Sequence, residues 1–142
     1  MARNRMERFA IFIGTWNTTG EVYATDVSPA TTLSATDTYR WLPGRHFIIH
    51  EVDARFGDDI SRSVEVFGYD AKSEKYLSHS YDDRGAREEF EVILKARRWK
   101  ILGTSVRFDG KFSPVGDQLV GLWEVKGKRG WQPWIKLSLS RA

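Results

Sequence analysis

The chain has 142 residues, no cysteine, and 22 basic against 19 acidic side chains, a formal charge of +3. That length suits a single domain held by packing alone. The lack of cysteine excludes disulfides, thiol nucleophiles and cysteine metal sites, and fits a cytoplasmic location. The pI near 9.3 does not by itself point to nucleic acid. The basic residues are scattered and cluster only at Arg97-Arg98-Trp99-Lys100 and Lys126-Gly127-Lys128-Arg129, without the coherent basic face such binding needs. No apolar run reaches the ~18 residues that span a bilayer, and the stretch 9–13 is too short for a secretory signal. Neither nucleic acid nor membrane is an expected partner.

In chain order, Met6, Phe9, Ala10 and Ile13 fall at i, i+3, i+4 and i+7 and predict a short amphipathic helix facing a core. Asn4 and Glu7 have capping-box spacing, and Gly14 can end the helix. From Trp16 the period changes to two. Strand-like segments follow at 16–25, 32–42, 45–56, 60–70, 75–82, 85–96, 98–108, 117–126 and 131–141. Between them lie turn residues such as Pro43-Gly44, Gly57-Asp58-Asp59, Asp83-Arg84-Gly85 and Asp109-Gly110, which suit hairpins. Short links without crossover helices mean an antiparallel meander. Closure removes its exposed edges. The expected fold is therefore all-β: a closed antiparallel up-and-down barrel of nine to ten strands after a short helix, with room for one small ligand. A two-sheet sandwich is the alternative.

Alternation then phases the strands. The inward sets are Trp16, Thr18, Val22 and Ala24; His46, Ile48, His50, Val52 and Ala54; Leu77, His79 and Tyr81; and Glu88, Phe90, Val92 and Leu94. Trp131, Ile135, Leu137, Leu139 and Arg141 share one face of the last segment. Segments 60–70, 98–108 and 117–126 carry apolar residues on both faces and stay unphased.

The short helix followed by Gly14-Thr15-Trp16 resembles the Gly-x-Trp signature of lipocalins and their calycin relatives. With Gly68-Tyr69-Asp70 in mid-chain, the chain looks closest to uncharacterised bacterial lipocalin-like domains. The resemblance implies a barrel and a cavity but no activity. It also implies that Trp16 packs at the closed end beneath an arginine from the end of the last strand. Closure brings 131–141 beside 16–25, which makes Arg141 that arginine, with Arg129 as its rival. Nitrobindin shares such a start, and its axial histidine lies late in the chain. No histidine follows His79 here, so haem is not expected, and no other cofactor is.

His46, His50 and His79 are the only histidines. His46 and His50 are ~13 Å apart along a strand, too far to share a metal held at ~2 Å. No metal site is expected, and the plain reading makes the histidines hydrogen-bonded lining or rim residues. Glu88 and Arg62 are the candidate inward charges, which need partners when buried. Arg62, His79 and Tyr81 can hold a carboxylate as fatty-acid-binding relatives do, because a guanidinium fork suits that anion; otherwise Arg62 lies in solvent. The candidate ligand-binding set is thus His46, His50, Arg62, His79, Tyr81 and Glu88. No Gly-x-Ser-x-Gly or phosphate loop is present, and Ser78-His79-Ser80 puts neighbours on opposite faces.

The leading expectation is a barrel that binds a small apolar or amphipathic molecule. One alternative is an isomerase, cyclase or lyase with His50 or His79 as base and Glu88 or Tyr81 as its partner. Another is a filled barrel with a structural role. Phe47, Ile49 and one of Trp131 and Trp134 form a candidate homodimer patch.

Overall fold

A computed structural model describes residues 4–26 and 28–142. Residues 1–3, the start of the stretch read for targeting signals, lie outside them. Ten strands form a closed antiparallel barrel: β1 (Gly14–Val22), β2 (Thr31–Trp41), β3 (Phe47–Phe56), β4 (Asp59–Asp70), β5 (Lys75–Asp82), β6 (Arg87–Lys95), β7 (Arg98–Leu102), β8 (Val106–Phe112), β9 (Gln118–Gly127) and β10 (Gly130–Arg141). Each strand pairs with the next in sequence, and β10 returns to β1, so no edge is left free. No helix among the described residues is long and apolar enough to cross a membrane.

The expected helix is a 3₁₀ helix over Glu7–Phe12. Its buried stripe is Met6, Phe9 and Phe12, every third residue, because side chains three apart eclipse in a 3₁₀ turn. Ala10 is exposed, as the tighter period requires. Asn4 holds the entry by accepting a hydrogen bond from the Met6 N–H at 2.9 Å. Phe9 and Phe12 then plug one end of the barrel. Phe9 meets Phe67, Tyr76 and Trp99, and Phe12 meets Tyr39, Phe67, Trp99 and Phe112.

The segment 98–108 is two strands, not one. It reverses at Gly103, whose N–H bonds the Val106 carbonyl at 3.0 Å. Conversely, Asp109-Gly110 is no turn and lies inside β8. Gly110 faces Gly121 of β9, and the Phe108 ring covers both; a Cβ on Gly121 would sit 2.4 Å from Phe108 Cζ. The glycine is there for close approach rather than for a bend. The first strand ends at Val22, so Ala24 is an exposed loop residue. In β10 the register shifts between Pro133 and Ile135, where proline has no N–H to give the ladder.

Strand closure pairs Trp16 with Arg141. Trp16 is 1% exposed and donates its indole N–H to the Phe12 carbonyl at 2.8 Å. The Arg141 guanidinium lies 4.2 Å from the indole ring. It donates to the carbonyls of Ile13 at 2.8 Å, Gly116 at 3.0 Å and Ile11. Gly14 takes φ +128, and a Cβ there would meet Arg141 Nη1 at 3.0 Å. One arginine thus ties the 3₁₀ segment, the β8–β9 loop and β10 across the closed end.

Candidate functional site

Above the aromatic plug the barrel encloses a cavity of about 330 Å³. Its walls are largely apolar: Leu33, Val52, Phe90, Trp99, Ile101, Phe108, Trp123 and Trp134 are among the lining residues. One side is polar, and the sheet register explains why. Tyr39 pairs with His50, His50 with Glu65, Glu65 with Ser80, and Ser80 with Glu88. Directly opposed residues point to the same face, so these five make a continuous inward row across β2 to β6. All five line the cavity. Asp37 lies two residues before Tyr39 on the same face and joins the row.

His50 is the hinge of this row. Its Nε2 lies 2.6 Å from Asp37 Oδ1 and its Nδ1 2.9 Å from Glu65 Oε1. The ring stacks on Tyr39 at 3.9 Å and 9°. The side chains of His50, Asp37 and Glu65 are only 10–13% exposed. Burial alone would push the imidazole pKa down, but hydrogen bonds to both carboxylates outweigh it and raise the value to about 9. Both ring nitrogens therefore carry protons and donate. Thr18 Oγ1 donates to Asp37 Oδ2 at 2.5 Å, which uses the second oxygen of that carboxylate. Burial, with Asp37 and Glu65 nearby, pushes the Tyr39 phenol well above its ordinary value, so it stays neutral. The two carboxylates flank opposite edges of the imidazole and cannot converge on one ion. Among the described residues no group of three or more ligating side chains is placed to hold a metal.

The sequence-derived candidates divide. His50 and Glu88 line the cavity, with Glu88 exposed towards the mouth. His46 is exposed in the loop before β3, because the strand begins only at Phe47. Arg62, His79 and Tyr81 point outward. Arg62 lies 3.7 Å from Asp53 and His79 3.5 Å from Glu89, both on the outer wall. Tyr81 is 51% exposed. The phase of β5 is thus the reverse of the expectation: Ser78 and Ser80 face in, while Leu77, His79 and Tyr81 face out. β4, left unphased by its sequence, has Ser61, Ser63 and Glu65 on the cavity and Ile60 and Val64 exposed. The polar side of the cavity has no need of apolar inward residues, so hydrophobicity misleads there. At the β10 bulge Trp134 reaches the cavity alongside Ile135, whereas Trp131 lies against the Arg107 guanidinium at 4.2 Å.

A second concavity, of about 500 Å³, lies outside the barrel between Lys95, Arg97, Arg98 and Lys111. It lacks an apolar enclosure, and Arg98 already makes two hydrogen bonds to Asp109, at 3.0 and 2.6 Å. The interior cavity is the stronger candidate.

A family model described as a protein of unknown function, DUF1579, matches residues 2–87. The chain belongs to the DUF1579 family. No curated protein matches its sequence. Solved structures share the fold of this DUF1579 chain at low identity. Rv2717c from M. tuberculosis superposes with a TM-score of 0.69 at 10% identity, covering 100% of this chain and 99% of its own. The zebrafish ileal bile acid-binding protein, solved with cholic acid, gives 0.61 at 13% identity over 94% and 100%. The S-type phycobiliprotein lyase CPES from Guillardia theta gives 0.60 at 9% over 98% and 94%.

Proposed function

We propose that this DUF1579 protein binds a small apolar or amphipathic molecule inside the barrel, with Glu65 and Glu88 as its polar contacts and His50 holding Glu65 in place. The observation that carries the reading is the cavity of about 330 Å³, with aromatic and aliphatic walls and one row of polar groups. Enclosed apolar pockets with a few placed polar groups are the usual form of small-molecule sites, and a void of this size argues against a filled, purely structural barrel. The similar barrel of the bile acid-binding protein was solved with cholic acid, in keeping with a ligand of this general kind.

An isomerase, cyclase or lyase on the same scaffold is the second reading, favoured by a histidine within 2.6 Å of a carboxylate in the cavity. Its weakness is that both nitrogens of His50 are engaged, which leaves no lone pair to take a proton. A homodimer through the outer wall, where Phe47, Ile60 and Val64 are exposed, is a separate proposal that light scattering tests.

The binding reading is tested by native mass spectrometry of freshly purified protein and by titration with Nile red, a neutral apolar dye. A retained small molecule, or saturable dye binding that quenches tryptophan emission, is the expected result. The absence of both a retained mass and saturable dye binding would remove the proposal.

A further inference from the structure

The charged groups facing the cavity are Asp37, His50, Glu65 and Glu88, and no lysine or arginine is among its described lining residues. With His50 protonated their formal charges sum to −2. The single cation is already shared between two carboxylates, and has no donor left for an incoming anion. Asp37 spends one oxygen on His50 and the other on Thr18. Glu65 uses Oε1 on His50, which leaves its Oε2 free to accept. Glu88 adds a second carboxylate nearer the mouth.

We propose that the cavity selects apolar amines, an ammonium group on an aliphatic or aromatic body, and discriminates against carboxylates. The inference rests on the binding reading above and names its ligand class. An ammonium donor meets Glu65 Oε2, completing a charge-assisted contact. The walls supply the second half of the recognition. Phe90, Trp99 and Trp123 line the same space, and aromatic faces attract organic cations. A carboxylate in the same place would face like charges with no free cationic donor, and discrimination of this kind comes from the repelled competitor as much as from the favoured ligand.

The test compares decylamine, decanol and decanoate, three probes with one alkyl body and three head groups. Each is measured at pH 7 by calorimetry and by displacement of Nile red, at concentrations below self-aggregation. Decylamine is expected to bind at least ten-fold more tightly than decanol, and decanoate at least ten-fold more weakly than decanol. In Glu65→Gln, with the fold verified by circular dichroism, decylamine is expected to lose at least ten-fold while decanol moves less than two-fold. The ranking in the unaltered protein decides the matter even where that variant fails to fold. Decanoate binding as tightly as decylamine, or decylamine failing to displace bound Nile red, overturns the selectivity and leaves the binding reading standing. If neither Nile red nor any decyl probe binds, the binding reading falls and the selectivity with it.

Discussion

Raising the pH should weaken this barrel through one residue. His50 has a pKa raised from 6.5 to about 9 in the folded chain by Asp37 and Glu65. Because the folded value lies above the unfolded one, the native state holds the proton more tightly. The stabilisation is therefore complete below about pH 6.5, declines as pH rises, and is lost once pH passes about 9. At ~1.4 kcal/mol for each pH unit separating the two values, the whole effect is about 3 kcal/mol. That is a large share of the 5–15 kcal/mol typical of a domain. Urea denaturation followed by tryptophan fluorescence at pH 6, 8 and 10 measures it. The double variant Asp37→Asn/Glu65→Gln serves as reference, since it keeps the background titrations and loses the two carboxylates. The unaltered protein is expected to lose about 3 kcal/mol across the series relative to that reference. A parallel or rising profile would refute the carboxylate–imidazolium–carboxylate assignment.

Three further substitutions probe the frame around the site. Arg141→Ala removes the guanidinium from Trp16 and from the carbonyls of Ile11, Ile13 and Gly116; about 2–3 kcal/mol of stability should go with it. A loss below 1 kcal/mol in urea denaturation would mean the contact is ornamental. Gly121→Ala would place a methyl 2.4 Å from the Phe108 ring and 2.6 Å from the Asp109 carbonyl oxygen. Backbone cannot give way there, so a cost of about 1–3 kcal/mol is expected, and an unchanged melting temperature would contradict the packing. Ser78 is fully buried, and its hydroxyl has no hydrogen-bond partner among the described residues. Ser78→Ala should therefore match or exceed the original stability, and a drop of 2 kcal/mol would show that the hydroxyl is satisfied in solution.

The closed end was legible in the sequence because its signals are local. Gly14, Trp16 and Arg141 need only alternation and closure to meet, and both follow from the period of two and the spacing of turns. The polar row was not legible, because it depends on register. Tyr39, His50, Glu65, Ser80 and Glu88 come from five strands, and sequence alone does not state which residue of one opposes which of the next. One signal was available: Asp37 shares its phase with Leu33, Ala35 and Tyr39 in 32–42, an acid on an otherwise apolar face. In β5 hydrophobicity pointed the wrong way, and in β4, apolar on both faces, it gave no phase. Ile60, Val64 and Leu77 turn from the cavity, while serines line it, so Arg62, His79 and Tyr81 lie outside. The split of 98–108 escaped notice for a related reason: Gly110 and Gly121 are small to admit Phe108, and a packing glycine reads like a turn glycine.

Placing three charges side by side inside a barrel is a poor way to make it stable. Taking charges out of water is costly, and apolar groups of matching volume often replace a buried ionic cluster with no loss or a gain of ~1–4 kcal/mol. Removing one partner alone strands the others, which is why single substitutions at Asp37 or His50 confuse structure with function. The informative variant exchanges the whole set, Asp37→Leu, His50→Phe and Glu65→Leu, together with Thr18→Val so that no hydroxyl is left facing Leu. If the row exists for recognition, this protein should fold with equal or greater stability at pH 7, lose the pH dependence assigned to His50, and no longer distinguish decylamine from decanol. A loss of more than 3 kcal/mol with the probe ranking intact would make the row a strut of the barrel, and the selectivity would then have to arise elsewhere in the cavity wall.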